Sequence, residues 1–216
     1  MNKLRVGVAG CGIGREHIRA YQTLPDWFEV AAVCDSNSEK AQAVAAEFGV
    51  ERVVTSFDAL CGLDDLDVID ICTPSCLHHP QSLQGLAAGQ HVICEKPVGA
   101  SLRQVDELAA AAQQAGRQLM PIYQYRFGHG AQKLKRLVDA GIAGPAYLTT
   151  AGTAWRRRLP YYDGTWRGKW ESELGGALVT LAIHAHDLIT YILGPVRSVF
   201  ARTLTAVNAI ETEDCV

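Results

Sequence analysis

Short apolar runs alternate with segments of helical periodicity through the first 122 residues of the chain. The strand-length runs lie at 4–9, 29–34, 52–54, 68–72, 91–94 and 118–123, and the helical segments lie at 15–23, 38–48, 57–61, 77–88 and 102–115. Strands that alternate with helices pair in parallel through right-handed crossovers. The pattern therefore predicts an α/β fold, a doubly wound parallel sheet with helices on both faces.

Capping residues mark the ends of two of these helices. The polar residues at 35–38 and Ser101 can cap the starts of the helices that follow them, because their side chains accept hydrogen bonds from first-turn amides. Gly49 and Gly116 stand where a left-handed residue ends a helix. The helices at 38–48 and 102–115 are therefore bounded at both ends.

The pattern changes after residue 122. A helix at 132–140 ends before Gly141, and it is followed by a strand-like stretch at 146–153, an aromatic and basic stretch at 155–170, a helix at 176–193 and a strand at 196–207. The change predicts two domains, 1–122 and 123–216. Alternating character in the last strand indicates a sheet with one covered face.

Composition and charge narrow the class of protein. The chain is 48% hydrophobic and 20% charged with a net charge of −3, as in an ordinary globular protein. Basic residues are scattered apart from Arg156, Arg157 and Arg158, so no stripe exists to bind a nucleic acid. No secretory segment is apparent. Polar residues interrupt every apolar stretch before it reaches the roughly 20 residues that are needed to cross a bilayer. We expect a cytoplasmic protein without a membrane span.

The cysteines indicate a reducing compartment, because they are seven in number and most stand in apolar, strand-like contexts. Cys72, Cys76, His78 and His79 are close in sequence, and a zinc site is the alternative interpretation. Their spacing matches no paired-ligand pattern and a second pair is missing. The sequence predicts no metal.

A glycine-rich loop joins the first strand to the first helix and reads Gly10-Cys11-Gly12-Ile13-Gly14. Absent side chains let backbone amides approach a pyrophosphate at the helix N-terminus. The spacing is one residue short of the common dinucleotide pattern, but Asp35 follows at the end of the second strand, where a carboxylate binds ribose hydroxyls. Asp35 favours NAD over NADP, because its charge would repel the additional phosphate of NADP. The alternative interpretation is a glycine-rich turn followed by an Asp that caps the next helix.

A second set, Glu95-Lys96-Pro97, comes directly after the strand at 91–94. Open α/β sheets bind their ligands at the carboxyl ends of their strands. A lysine there can hydrogen-bond a substrate hydroxyl and assist proton transfer. The alternative is a solvated lysine in a loop.

A third set lies in the predicted helix 176–193. In a regular helix Thr180, His184 and Asp187 project from one face. That face can hold an imidazole in one orientation for acid–base chemistry near neutral pH. A histidine satisfied within an apolar helix is the alternative.

Together these residues resemble the Gfo/Idh/MocA family of nicotinamide-dependent sugar and polyol oxidoreductases. The resemblance runs in order along the chain through Gly10 to His17, Thr73-Pro74-Ser75 with His78, Gly89 to Pro97, and Gly175-Gly176-Ala177 ahead of His184 and Asp187. It implies that the first domain binds NAD, and that the second carries an open, mostly antiparallel sheet.

The resemblance also implies roles for particular residues. Lys96 is then the catalytic lysine, His184 the proton-transfer residue, and Glu95 and Pro97 shape the nicotinamide site, with a cis bond before Pro97. Thr73, Pro74 and His78 border the cofactor. The substrate-binding candidates are Lys96, Tyr125, Arg126, Trp166, Arg167, His184 and Asp187.

Two departures from the family stand out. The family's usual Asp one turn before the histidine falls on Thr180, which cannot supply a negative charge to the imidazole. Family members commonly run well beyond this chain's 216 residues, so we expect a truncated second domain whose unfinished sheet leaves open edges. With a complete sheet, a homo-oligomer is expected.

The function that these expectations favour is hydride transfer between nicotinamide C4 and a carbinol carbon of a sugar, polyol or related hydroxy compound. Such an enzyme is an NAD(P)-dependent dehydrogenase acting on CH–OH groups, with a small carbohydrate as its partner. One alternative is a glycoside hydrolase that oxidises its sugar transiently with bound NAD. Another is a nucleotide-binding module that does not catalyse.

Overall fold

A computed structural model describes residues 3–216 of the chain. The chain divides into two compact units, Met1–Ile122 and Tyr123–Val216. Each unit has its own secondary structure and is described separately below.

The first unit is a six-stranded parallel sheet in the order β3-β2-β1-β4-β5-β6. The strands are β1 (Leu4–Ala9), β2 (Phe28–Cys34), β3 (Arg52–Val54), β4 (Val68–Ile71), β5 (His91–Cys94) and β6 (Leu119–Pro121). The helices between them are α1 (Gly14–Gln22), α2 (Ser38–Phe48), α3 (Phe57–Cys61), α4 (Ser75–Ala87) and α5 (Leu102–Ala115). The predicted doubly wound sheet is confirmed.

The core of this unit lies on both faces of the central strands. Val6 and Val8 of β1 pack with Ile18 of α1 on one face. Ile69 and Ile71 of β4 belong to the cluster on the other face. Burial on two faces explains why these strands read as continuous apolar runs. Since every strand points the same way, the loops after β1, β2, β4 and β5 emerge at one edge.

The predicted caps are confirmed at both helices. Asn37 begins α2 by accepting a hydrogen bond from the Lys40 amide at 2.9 Å, and Ser101 begins α5 by accepting one from the Gln104 amide at 3.3 Å. Gly49 and Gly116 end these helices with φ of 68° and 61°. Only a residue without Cβ adopts this left-handed region cheaply.

The second unit is mainly helical. Its α-helices are α6 (His129–Asp139), α7 (Trp170–Glu173) and α8 (Ile183–Leu193), and α6 packs on α8. Short 3₁₀ turns cover Gln124–Phe127 and Leu159–Tyr161, and a π-helical segment, Ala177–Ala182, leads into α8. The predicted helix at 176–193 is therefore two segments of different pitch.

The strands predicted at 146–153 and 196–207 are not formed in the structure of residues 123–216. Within residues 123–216 the backbone pairing is a single antiparallel bridge between Leu204 and Cys215, so the open antiparallel sheet is not formed. Apolar alternation predicts which side chains share a face, but a strand also needs a neighbour for its amides and carbonyls. Tyr147 and Phe200 are 93% and 95% exposed, which shows how little covers these stretches.

One helical stretch, Trp170–Leu193, is long and apolar enough to cross a bilayer by length and composition, with a mean hydropathy of 1.4. The sequence prediction excluded such a stretch, because it counted only uninterrupted apolar runs. The stretch includes Gly175 at φ 155° and buries Glu173, His184 and Asp187. One stretch of this kind is weak evidence, since core helices of soluble proteins pass the same test.

Candidate active site

The glycine-rich loop after β1 is shaped by close backbone approach. Gly10 has φ +94°, and a Cβ there would overlap the carbonyl of Cys72 at the end of β4. Gly12 is exposed and has nothing within 4 Å of its Cβ position. The loop leads into α1 at Gly14, and no side chain of the N-cap residue Ile13 binds the amides at the start of this helix. Open space therefore lies over Gly12, and we call this space the Gly12 cradle.

Asp35, at the end of β2, is fixed by three donors. One carboxylate oxygen accepts from the Cys11 amide and from Lys40 Nζ, both at 2.9 Å, and the other accepts from the Asn37 amide at 3.0 Å. Burial alone would raise the pKa of this carboxyl, but these hydrogen bonds and the Lys40 charge lower it. Asp35 therefore stays ionised beside the glycine loop. The nearby Lys40 ammonium weakens the repulsion that Asp35 would exert on an NADP phosphate.

His78 joins two of the predicted site loops. Its Nδ1 lies 2.7 Å from the Pro97 carbonyl and its Nε2 lies 2.8 Å from the Thr73 carbonyl. The side chain is buried, and burial lowers its pKa although both carbonyls favour the charged form. The Lys96–Pro97 bond is cis, as the resemblance implied. His78 thus fixes the position of the loops carrying Thr73-Pro74 and Pro97, and both its ring nitrogens are engaged in doing so.

Glu95 is buried under its own loop instead of facing solvent. One carboxylate oxygen accepts from the Lys96 amide at 3.1 Å, and the other lies 3.3 Å from Nε2 of His17 on α1. Burial raises the pKa of Glu95, but the His17 hydrogen bond and the charge of Lys96 outweigh it and lower the pKa. An ionised carboxylate therefore lies directly beside Lys96.

The alternative zinc set is not assembled by the fold. His78 is held by two carbonyls, and the Sγ of Cys72 lies 3.3 Å from His17 Nδ1 and 3.6 Å from Asp70. Among residues 3–216, the group within mutual ligand distance is His17, Asp70 and Cys72. Burial raises the pKa of Cys72 well above its ordinary value, which disfavours the thiolate that a metal would need.

The second unit brings four predicted residues together in two pairs. Tyr125 stacks on His184 with ring centroids 4.6 Å apart, and Arg126 Nε donates to Asp187 at 2.7 Å, while a second guanidinium nitrogen binds the other carboxylate oxygen. His184 and Asp187 are both buried. The 3₁₀ turn Gln124–Phe127 is therefore held against α8 by one stacked pair and one bidentate ion pair.

The start of the π-helical segment is held by a buried carboxylate. Oε1 of Glu213 accepts from the amides of Gly176 at 2.9 Å and Leu178 at 3.0 Å. A Cβ on Gly176 would overlap the backbone carbonyl of Glu213, so this approach requires glycine. The Thr180 hydroxyl donates to the Gly176 carbonyl at 2.8 Å. Because a π-helix has a wider turn than the α-helix assumed from sequence, the shared face predicted for Thr180 and His184 does not follow from spacing.

We expect Glu213→Ala to loosen the start of this segment. It leaves the buried Gly176 amide and the partly buried Leu178 amide without their acceptor, at a cost of about 1–3 kcal/mol. Glu213→Gln keeps the acceptor oxygen and loses only the charge. Hydrogen exchange of the Gly176 and Leu178 amides measures this. Alanine should accelerate exchange by at least tenfold and glutamine by much less; equal rates in all three proteins would contradict the capping role.

Trp166 and Arg167 belong to a separate aromatic cluster. The Arg167 guanidinium lies 4.4 Å from the Trp166 ring centroid and 4.5 Å from that of Tyr161, and it pairs with Glu173 at 3.3 Å. Glu173 is buried. The Arg167 charge is thus already stacked and paired, which fixes the geometry of the 155–170 stretch.

Sequence reasoning missed three residues that the fold brings to the site. His17 entered only as part of the family resemblance, and Asp70 and Lys40 were not considered. The signal for Asp70 was present, because it is a charged residue inside the apolar run of β4 and must be paired when buried. No sequence pattern identifies its partner.

Two family models match the chain. Residues 4–123 match the Gfo/Idh/MocA model described as an oxidoreductase family with an NAD-binding Rossmann fold, and residues 131–216 match the Gfo/Idh/MocA C-terminal domain. The first match ends within one residue of the division between the two units, and the second match lies wholly in the second unit.

Several named proteins are similar over most of the chain. D-glucoside 3-dehydrogenase of Escherichia coli (strain K12) is 34% identical over 95% of this chain and 59% of its own length. D-apiose dehydrogenase of Paraburkholderia graminis is 27% identical over 99% of this chain and 56% of its own length. The crystal structure of the WlbA dehydrogenase from Bordetella pertussis with NADH and UDP-GlcNAcA superimposes with a TM-score of 0.94 and 36% identity, over 99% of this chain and 62% of that one. The chain thus spans about three fifths of these relatives.

Proposed function

The chain belongs to the Gfo/Idh/MocA family of oxidoreductases, and we propose that it takes part in NAD-dependent oxidation or reduction of a carbinol carbon on a sugar. One observation carries the proposal. The Gly12 cradle, the ionised Asp35 and Lys96 all lie in loops that leave the carboxyl edge of one parallel sheet. A dinucleotide site and a proton-transfer lysine at one edge are what a dehydrogenase requires.

The residues of the first unit divide the work of binding. The loop amides at Gly12 and the start of α1 would hold the pyrophosphate, and Asp35 would accept hydrogen bonds from the adenosine ribose. Bound NAD supplies the redox chemistry by accepting or giving the hydride at nicotinamide C4. His78 keeps the Thr73-Pro74 and Pro97 loops in place at the border of this site.

Lys96 is assigned the hydroxyl proton of the substrate. In the direction of oxidation its neutral amine would accept the hydroxyl proton as the carbinol becomes a carbonyl, and in the direction of reduction its ammonium would return that proton to the carbonyl oxygen. Glu95 holds the Lys96 backbone amide, so the lysine side chain starts from a fixed point. Thr73 and Pro74 would border the cofactor, as the family resemblance implies.

His184 and Asp187 are given different parts in the second unit. His184 is the second proton-transfer residue by family resemblance, and the Tyr125 ring fixes the plane of its imidazole. Asp187 is neutralised by Arg126, so we assign this pair to holding Tyr125 in place beside His184. Thr180 supplies no charge to the imidazole.

The sugar is proposed from chemistry common to the relatives. The names of the relatives include a glucoside dehydrogenase and an apiose dehydrogenase, and the WlbA structure contains UDP-GlcNAcA. A sugar CH–OH is the group common to all of them. Trp166 and Arg167 offer an aromatic face and a stacked guanidinium for such a ring.

An assay of NADH and sugar products distinguishes the two alternative functions, which are a glycoside hydrolase and a non-catalytic nucleotide-binding module. A hydrolase would cleave a glycosidic bond without net change in NAD, whereas a dehydrogenase accumulates NADH with an oxidised sugar. A binding module would bind NADH and oxidise nothing.

The environment and assembly are part of the proposal. A cytoplasmic enzyme without membrane or nucleic-acid partners is supported by cysteines that form no disulfide bond within residues 3–216 and by scattered charge. We also propose that the stretches at 146–153 and 196–207 belong to an open, mostly antiparallel sheet of the second domain, and that the complete sheet supports a homo-oligomer. Exposed apolar side chains there, including Tyr147, Leu148, Val199 and Phe200, support pairing with further strands.

We expect NADH to bind this chain and the Asp35→Asn substitution to weaken NADH affinity by about tenfold. Hydrogen bonds to a charged group contribute about 1.5–3 kcal/mol, and asparagine loses this charge while it keeps an acceptor for the Cys11 amide. NADPH affinity should fall less or rise, since Lys40 is released from its carboxylate. Fluorescence titration with both nucleotides measures this. The exposed Asp106→Asn is the control and should match the wild type. If a folded wild-type chain binds neither nucleotide, the proposed function is wrong.

A further inference from the structure

A buried cluster of polar side chains ties α1 to the sheet next to the glycine-rich loop. His17, the fourth residue of α1, places Nδ1 2.8 Å from Oδ2 of Asp70 on β4. The Tyr21 hydroxyl, one turn further along α1, donates to the same Asp70 oxygen at 2.9 Å. The other ring nitrogen of His17, Nε2, lies 3.3 Å from Oε1 of Glu95 in the loop after β5. Asp70 is fully buried, so these contacts fix α1 against two separate segments of the first unit.

The same cluster contacts the backbone that shapes the glycine-rich loop. Sγ of Cys72 lies 3.3 Å from His17 Nδ1, and the carbonyl of Cys72 is the group that approaches Gly10. The Cys72 side chain also packs on Gly14, where Sγ lies 3.7 Å from the position that a Cβ would take. His17 therefore shares one neighbour with both ends of the loop. A displacement of His17 would reach the Gly12 cradle through this neighbour and through α1 itself.

The contacts of His17 with two carboxylates require an imidazolium, because a neutral ring carries a proton on one nitrogen alone. Burial by itself would lower the pKa of His17, but the hydrogen bonds and charges of Asp70 and Glu95 raise it to about 10. The charge of Lys96 also acts on Glu95, and burial raises the pKa of the Cys72 thiol, which keeps that thiol neutral. Because the pKa of His17 is raised, the cation is present at neutral pH and is lost as the pH rises through about 10.

We propose that His17 is a positioning residue of the cofactor site: its imidazolium ties the start of α1 to Asp70 and Glu95, and NADH binds more tightly while these ties are intact. The role rests on the proposed function, in which the glycine-rich loop binds the pyrophosphate. Without its proton, His17 would leave two carboxylates with no cation between them, and the start of α1 would lose a link to the sheet. The amides at the start of α1 would then no longer be held in the arrangement that a pyrophosphate requires.

His17→Gln and Tyr21→Phe together separate positioning from loss of stability. Each removes a hydrogen bond to the buried Asp70, so both should lower the melting temperature of the first unit. His17→Gln alone should weaken NADH binding, by about tenfold in a fluorescence titration at neutral pH, because it removes the charged tie nearest the loop. Tyr21→Phe, one turn further away, should stay within about twofold of the wild type. The exposed His129→Gln is the matched control and should bind as the wild type.

Asp70→Leu separates position from charge repulsion. Leucine is similar in size to aspartate, and it removes one negative charge together with both ties to α1. Loss of a negative charge near an anionic cofactor would by itself strengthen NADH binding. Loss of position should instead weaken it by about tenfold, as in His17→Gln.

Protonation of His17 gives a measurement that a purely structural role would not change. In nitrogen-15 spectra the His17 ring is the signal that His17→Gln lacks, and its titration midpoint is found first without nucleotide. If NADH binds the charged form about tenfold more tightly, linkage requires saturating NADH to raise the doubly protonated fraction at this midpoint from half to about nine tenths.

Four results would each overturn the proposal: an unchanged protonated fraction, a His17 ring that is neutral at neutral pH, wild-type NADH affinity in His17→Gln, or tighter binding in Asp70→Leu. The protonated fraction is measured on the wild-type chain, so it decides even where a variant does not fold. A folded wild-type chain that does not bind NADH would instead contradict the proposed function, since the midpoint without nucleotide does not depend on it.

Discussion

Lys96→Met is expected to reduce turnover of NAD with a sugar substrate by about 10²- to 10⁴-fold, the range typical of a lost acid–base group. Methionine has a similar length and no proton to give or accept, so the loop after β5 should keep its backbone hydrogen bond to Glu95. NADH affinity should change by no more than a few fold. The reaction is followed by NADH absorbance with UDP-GlcNAcA and a methyl glucoside as the first substrates.

The matched control for Lys96 is Lys133→Met, an exposed lysine on α6 in the second unit. It should keep wild-type turnover. If Lys96→Met lost affinity for NADH in proportion to its loss of rate, the lysine would be a binding residue, and the proton-transfer assignment would be wrong. If rate and affinity were both unchanged, Lys96 would have no part in the reaction.

Gly10→Ala is expected to lower the melting temperature, whereas Gly12→Ala is expected to lower NADH affinity. At Gly10 the added Cβ meets the Cys72 carbonyl and the backbone has φ +94°, so alanine combines a steric overlap with a strained dihedral. Together these cost about 3 kcal/mol or more, enough to lower the melting temperature of the first unit by roughly 10 °C. At Gly12 the added methyl group meets no atom within 4 Å and should leave the melting temperature unchanged.

For NADH affinity, measured on molecules that are still folded, Gly12→Ala should have the larger effect of the two substitutions. Alanine at Gly12 places a methyl group in the proposed pyrophosphate cradle and should weaken NADH binding at least tenfold, or about 1.4 kcal/mol. Thermal unfolding without nucleotide and fluorescence titration below the melting temperature separate the two effects. A stable Gly12→Ala variant with wild-type NADH affinity would show that the dinucleotide binds elsewhere.

The first unit could be predicted almost completely from the sequence. Apolar runs and caps gave each strand and helix to within about two residues, since these signals are local, and right-handed crossovers then leave few arrangements for a parallel sheet. The glycine loop, Asp35 and the Glu95-Lys96-Pro97 segment followed directly, because loops after parallel strands emerge at one edge.

The second unit could be predicted only in part. The helices α6 and α8 were found because their apolar periodicity is local, whereas the short α7 was not predicted and the strands at 146–153 and 196–207 were not formed. Whether an apolar alternating stretch becomes a strand depends on a neighbouring strand, which the stretch itself does not contain. The π-helical turn before α8 was also unforeseen, because it depends on Glu213 binding the amides at the start of the segment.

The sequence by itself determined the parallel sheet, the glycine cradle and the residues that could do chemistry there, since each is written in residues adjacent along the chain. Only the tertiary structure decided how those residues are held. Arg126 meets Asp187 across 61 residues, and His17 meets Glu95 across 78. A charge buried in one segment requires a partner, but the segment cannot specify which one. Folding decides it, because the partner is whichever polar group the packed strands and helices bring within hydrogen-bonding distance.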